Sequence, residues 1–343
     1  MTKEQSQIIK GISILMMIYY HLFDAYFVNE YCYVHFYVFN IPLVNFIQRA
    51  TNPVPFFLII GGYGLYKVWV KGDKNKYYRI LKLYIHYWII VFIFGSIGSL
   101  ILPSKYPGNI IILIENLTSF NPTYNHTMWF LLPYAFLSIG APLLFKMLKS
   151  IKWYFIILTT LGLEIITSYL ISRYGEVYLF NHMWVYNPLL VIHLLFNFSI
   201  GYCCARDDFF GILKKNLRKW STVKRNALGL LSILILTLIQ SCFKYNVFFA
   251  FFIISCISIL SFKGFCKFAL INLGNQSMNM WMIHGWFCYC LFTSWVFSFR
   301  FPILIFLILI FVSFGSSLLI NLISRPIEKL FLTKKEISEK PIL

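Results

Sequence analysis

IIKGISILMMIYYHLFDAYF, residues 8–27, decides what kind of protein this is. After Lys10 no charged residue appears until Asp24. A run of about 20 predominantly apolar residues makes a helix long enough to cross a hydrocarbon core about 30 Å thick. The run continues past Phe23 without a small-residue cleavage site, so it reads as a retained span and not as a cleavable signal.

Further along the chain the same pattern recurs. Counting the first stretch as about 8–28, the others lie at about 52–70, 83–102, 127–147, 153–172, 184–204, 226–243, 246–262, 268–295 and 300–323. Of the 343 residues 59% are hydrophobic and 12% charged. Soluble domains carry about 45–50% and about 25%, so a soluble globule of this composition would lack a polar shell. The expected fold is all-α: a polytopic membrane helix bundle of about ten transmembrane helices, forming one domain over 1–343. The apolar stretch 31–48 is interrupted by His35, Asn40, Pro42 and Asn45 and reads as an outer re-entrant or interfacial segment. The longest outer connection is 103–126 and the longest inner one 205–225, neither large enough for an independent soluble domain.

Thirty Lys and Arg against twelve Asp and Glu leave a net charge of +18. In a soluble protein that excess would suggest nucleic acid, but here the basic residues lie in short connections between apolar runs. With ten spans and the N-terminus inside, 25 of them fall on the cytosolic side. Only Arg49, Lys105, Arg173, Lys244 and Arg300 fall outside. Both termini are therefore expected in the cytosol, the whole formal excess is cytosolic, and no nucleic-acid partner is expected. The eight cysteines show neither CxxC pairs nor Cys/His ligand spacing, so neither a disulfide framework nor a metal site is expected. NLT at Asn116 and NHT at Asn125 match the glycosylation triplet, a pattern too short to carry weight.

Ionisable groups inside a span cost about 2.5–3.5 kcal/mol at a helix centre on insertion scales, which makes each a candidate for function. His86 and His193 read first as neutral histidines bonded across the bundle. Glu164, in mid-span, is protonated, paired with another helix, or functional. His284 lies on the ninth span. The first span says most. His21 follows Lys10 by eleven residues, which places both on one helix face about 16 Å apart along the axis. Asp24, three residues further, would share that face and could orient the imidazole. A cation at the cytosolic mouth, in line with a carboxylate-supported base, suits a ligand entering from inside. A snorkelling lysine with a structural histidine explains the same geometry.

These residues, with several other segments, resemble the acyltransferase-3 family of integral membrane acyltransferases. The family's first helix carries Arg or Lys, ten residues, then His, as Lys10 and His21 do. PVPFFLIIGGYGLY resembles its FFxxSGF run, with Gly61 where Ser is usual, then Gly62 and Tyr63. YYRILKLY carries Arg79 and Lys82 at the family's RxxR spacing. TMWFLLPY, LGNQSMNMWMIH and SRPIEKLF resemble its Trp-containing fourth helix, its Ser-and-His segment and its closing stretch. The set follows the family's order over nearly the whole chain.

The resemblance implies an O-acyl transfer, most simply of acetyl, from cytosolic acyl-CoA to a hydroxyl of an extracytoplasmic polysaccharide or its lipid-linked precursor. It implies a multi-pass protein of a bacterial plasma membrane. His21 would be the general base and Asp24 its support. Arg79, Lys82 and Lys10 would face the donor, Lys10 also serving developing charge. Trp129 would form an acceptor platform, with Glu164 and His284 as further substrate contacts. Direct transfer needs neither a metal nor a serine nucleophile, and an acyl-enzyme remains an alternative. The bundle would serve alone or with a separate partner protein. A transporter of a glycan or small acid, lined by Glu164, His193 and His284, is the competing function; the lack of visible inverted repeats and of paired broken helices counts against it.

Overall fold

In hydrocarbon every backbone N–H and C=O must be bonded within its own segment, so apolar runs become helices. The computed structural model describes residues 1–72, 76–243 and 247–331. Its elements are, in order, α1 Lys3–Leu22, α2 Ala25–Tyr31, β1 Tyr37–Val38, β2 Ile41–Pro42, α3 Leu43–Gln48, α4 Val54–Val70, α5 Lys76–Ile101, α6 Ile110–Thr118, α7 Leu131–Leu148, α8 Trp153–Tyr174, α9 Met183–Arg206, α10 Phe209–Asn216, α11 Thr222–Phe243, α12 Phe249–Ile259, α13 Gly264–Gly285, α14 Thr293–Phe297 and α15 Pro302–Phe331. The basic residues Lys74, Lys244, Lys334, Lys335 and Lys340, and the C-terminal tail expected in the cytosol, lie outside the described residues.

The chain is an all-α polytopic bundle, and each expected span coincides with a helix. Among the described residues six helices are long and apolar enough to cross a membrane, and α1 with α2 makes a seventh if that bent pair is one span. Two other expected spans, α4 and α12, are shorter, with 17 and 11 residues. The last, α13, is long enough but polar on one side: Gln276 accepts from Ser317, and Asn279 donates to the Ser317 carbonyl. The stretch 31–48 holds the end of α2, a two-residue antiparallel hairpin pairing Tyr37 with Pro42, and α3.

The first span departs from the expected straight helix over 8–28. It ends at Leu22 and restarts as α2 at an angle of 62°. Asp24 is the reason the second helix starts where it does: its carboxylate accepts from the Tyr26 N–H at 3.0 Å as an N-cap.

The packing divides into two compact units, residues 1–57 with 208–319, and 58–207 with 320–343. In the first, α1 and α13 form the most extensive helix pair. In the second, α4 and α9 cross backbone against backbone. A Cβ on Gly62 would sit 2.1 Å from the Phe198 carbonyl oxygen, and one on Gly201 would sit 2.0 Å from that of Ile59. Gly62 of the GGYG run thus serves helix contact, where small residues let membrane helices approach.

The second unit also reshapes the long connection 103–126. Its helix α6 folds back beside the middle of α5. Tyr84, Tyr87 and Trp88 donate to the carbonyls of Thr118, Asn116 and Leu117 at 3.1, 2.5 and 2.8 Å. These are three of the last four carbonyls of the helix, which its own i→i−4 ladder does not reach, and that of Asn116 also accepts from the Ser119 N–H. Trp88 lies about 20 Å along α5 from its end at Ile101, so the end of α6 reaches well back along that helix. Buried Asn116 donates to the Ile112 carbonyl and to Thr123, and accepts from the Tyr124 N–H. A glycosylation triplet whose asparagine is fully spent in this way is a structural hub.

Candidate active site

The crossing of α1 and α13 is built on two glycines. A Cβ on Gly11 would lie 2.2 Å from the Leu270 carbonyl oxygen, and one on Gly274 would lie 2.0 Å from that of Gln7. Such contact fixes the two helices against each other closely. It carries His21, near the end of α1, to within 5.0 Å of His284, ring centroid to ring centroid, at 41°. His284 is fully buried and His21 half-buried. The His284 Nδ1 lies 2.7 Å from the Trp281 carbonyl. A carbonyl can only accept, so Nδ1 carries the hydrogen and Nε2 is a bare lone pair. That Nε2 is buried and has no hydrogen-bond partner among the described residues. Beyond α13 a single π-helical turn, Trp286–Cys290, brings Tyr289 to the same place. Its hydroxyl lies 3.1 Å from His21 Nδ1 and 2.6 Å from the His21 carbonyl oxygen.

Lys10 and His21 both lie on the continuous helix α1, so the shared face survives. Lys10 is 7% exposed and makes no ion pair among the described residues. A buried cation left unpaired is costly, and a bound anion would offset that cost. Asp24 lies past the helix break, where its carboxylate caps the second helix, within electrostatic reach of Tyr20 and Tyr289. The spacing argument assumed a straight helix to residue 28, which an aspartate able to cap the next helix removed.

The other expected residues belong to the second unit. Lys82 and His86, four apart on α5, share one carboxylate from α15: Lys82 Nζ lies 2.8 Å from Glu328 Oε2, and His86 Nε2 lies 2.7 Å from Glu328 Oε1. Lys82 is therefore ion-paired through Glu328, and His86 is bonded across the bundle through the same carboxylate. The field of Arg79 reaches Tyr134, whose ring edge lies 3.3 Å from where a Gly61 Cβ would stand. Trp129 is half-buried on the single turn before α7, edge-on to Phe130 at 5.8 Å. On α8 and α9, His193 Nδ1 lies 3.2 Å from the Thr167 hydroxyl, which itself donates to the Leu163 carbonyl at 2.8 Å. Glu164 Oε2 is buried with no hydrogen-bond partner among the described residues.

Sequence reasoning singled out His21, Lys10 and His284, which the structure brings to one helix pair, but it missed Tyr289 and Glu328. Glu328 lay in the closing stretch SRPIEKLF, and its acidity opposite two basic residues four apart was the available signal. Tyr289 had none, because it reaches His21 only through the π-turn. The first unit's pair of imidazoles, with one bare buried nitrogen and a phenol in reach, can take and hold a proton. The acyltransferase-3 family model, described as an acyltransferase domain, matches residues 5–322. Neither a curated protein nor a solved structure matches the chain.

Proposed function

The chain belongs to the acyltransferase-3 family and is a membrane-bound acyltransferase, and from that premise we propose that it moves an acetyl group from cytosolic acyl-CoA to a hydroxyl of an extracytoplasmic polysaccharide or its lipid-linked precursor. His21 is the general base. The observation that carries this role is its ring, set 5.0 Å from that of His284 across a glycine-packed helix crossing. General-base action is worth about 10²–10⁴-fold.

The step is a direct transfer. The acceptor oxygen attacks the thioester carbonyl while its proton passes to His21. The tetrahedral intermediate collapses with loss of the coenzyme thiolate, which regains the proton from the imidazolium. The bare Nε2 of His284 accepts a hydrogen bond from a substrate N–H or O–H group. Buried Lys10 faces a donor phosphate or the oxyanion, either of which would supply its missing counter-charge. Arg79 serves the nucleotide end of the donor, and Trp129 and Glu164 serve the acceptor. The basic-residue asymmetry supports ten crossings with both termini in the cytosol, and the resemblance to the family supports a bacterial plasma membrane.

The test is acyl transfer by purified protein in detergent, supplied with radiolabelled acetyl-CoA and a glycan acceptor. Transfer without a sealed compartment is chemistry, not transport. His21→Ala is expected to abolish it while the protein still accumulates in the membrane. Full acetylation of the acceptor by that variant would overturn the mechanism.

A further inference from the structure

We infer that Tyr289 is a positioning residue that holds the His21 imidazole as its Nδ1–H tautomer and leaves Nε2 as the nitrogen that takes the proton. This rests on the proposal that His21 is the base. It comes from counting hydrogens. A phenol has one hydrogen to give, a carbonyl oxygen has none, and a neutral imidazole carries one on either nitrogen. The Tyr289 hydroxyl lies 2.6 Å from the His21 carbonyl oxygen. Two oxygens that close require a hydrogen between them, and only the phenol can supply it. Its 3.1 Å contact with His21 Nδ1 must then run the other way, from a ring N–H to the phenol oxygen.

The His21 carbonyl is available because α1 ends one residue later. It is among the last four carbonyls of the helix, which have no partner within it. The chain restarts at Ala25 under the Asp24 cap, turned by 62°. Tyr289 arrives on the π-turn Trp286–Cys290, whose wider ring re-aims side chains relative to the helix before it. One connected segment therefore presents two rings to His21, that of His284 at 5.0 Å and that of Tyr289 at 5.5 Å. His284 cannot compete as a donor to Nδ1, since its own hydrogen is committed to the Trp281 carbonyl. The other titratable groups about the pair are Tyr20, whose ring lies 5.3 Å from that of His21, and Asp24, Cys288 and Cys290 around Tyr289. Phe27 covers the phenol at 5.3 Å and stacks on Phe297 at 5.0 Å.

The chemical consequence is directional. A proton taken from the acceptor enters at Nε2, and the resulting imidazolium keeps its Nδ1–H on the phenol oxygen throughout. Holding an imidazole in its productive tautomer and orientation is the task of the third member in acyl-transfer triads. A neutral phenol, anchored by a backbone carbonyl, does it here.

Tyr289→Phe removes both hydrogen bonds and keeps the ring against Phe27. With radiolabelled acetyl-CoA in detergent, kcat is expected to fall about tenfold or more, with KM for the donor unchanged. Nitrogen-15 spectra of histidine-labelled protein, assigned with His21→Gln, are expected to show a protonated Nδ1 and a bare Nε2 in the native protein. They are expected to show a mixture of tautomers in Tyr289→Phe. A native His21 with a bare Nδ1, or a Tyr289→Phe protein with native kcat and native tautomer, overturns the inference. Failure of the base assignment is separable. It would appear as full activity of His21→Ala, while the nitrogen spectrum still reports whether Tyr289 sets the tautomer.

Discussion

Gly274→Ala puts the helix crossing under the candidate site to the test. The new Cβ would stand 2.0 Å from the Gln7 carbonyl oxygen and 2.8 Å from its carbon, both backbone atoms of α1. Ordinary contact begins near 3.4 Å, so α1 and α13 must part by more than about 1 Å. Overpacking of this kind costs about 1–3 kcal/mol. The functional cost should be larger, because His284 rides on α13 and His21 on α1. A misplacement of about 1 Å between reacting groups can lower a rate about 10²-fold. Gly162→Ala on α8, where a Cβ would meet nothing within 4 Å, is the matched control. Both variants would be purified in detergent, melted, and assayed with radiolabelled acetyl-CoA. The expected result is a lower melting temperature and about a hundredfold loss of kcat/KM for Gly274→Ala, with neither change for Gly162→Ala. Native activity and melting temperature in Gly274→Ala would refute the claim that this close approach positions the two histidines.

Glu328→Gln leaves Lys82 and His86 without their shared anion. It is expected to cost about 2 kcal/mol, since charge-assisted bonds are the stronger kind and Lys82 is only partly shielded. A double-mutant cycle with His86→Ala, read as unfolding midpoints, should be non-additive by about 1 kcal/mol, and additivity would mean the bond contributes nothing. Asp24→Asn keeps the N-cap of α2 and should retain acyl transfer within about twofold, whereas Asp24→Ala should lose about 1 kcal/mol of stability. A large rate loss in the Asn variant would show that the carboxylate charge acts on the reaction.

The bundle was legible because its signal is local. Twenty apolar residues report a span whatever surrounds them, and the positions of Lys and Arg report sidedness without reference to packing. Lys10 and His21 were legible for the same reason, both lying on one unbroken helix. The break after Leu22 was not legible because a helix end is a competition: Asp24 bonds the Tyr26 N–H of a new helix more readily than it extends the old one. The partner of Lys82 was out of reach too: its spacing to Arg79 is local, but the carboxylate that pairs with it comes from α15, 246 residues away. The helix α6 was read only as part of a long connection, since the Tyr and Trp donors that hold its end belong to α5.

By itself, then, the amino-acid sequence determined the solvent in which this chain folds, the helices it forms and the family to which it belongs. Hydrophobicity, charge bias and short ordered motifs are properties of neighbouring residues. The tertiary structure alone decided which groups meet. Glycine-on-backbone crossings bring His21 and His284 together, a helix break exposes the His21 carbonyl, and a π-turn delivers the phenol that takes it. The meetings of His21 with His284 and with Tyr289 depend on distances of a few ångströms between residues more than 260 positions apart. No pattern along the chain encodes such distances, because they follow from how whole helices fit against one another.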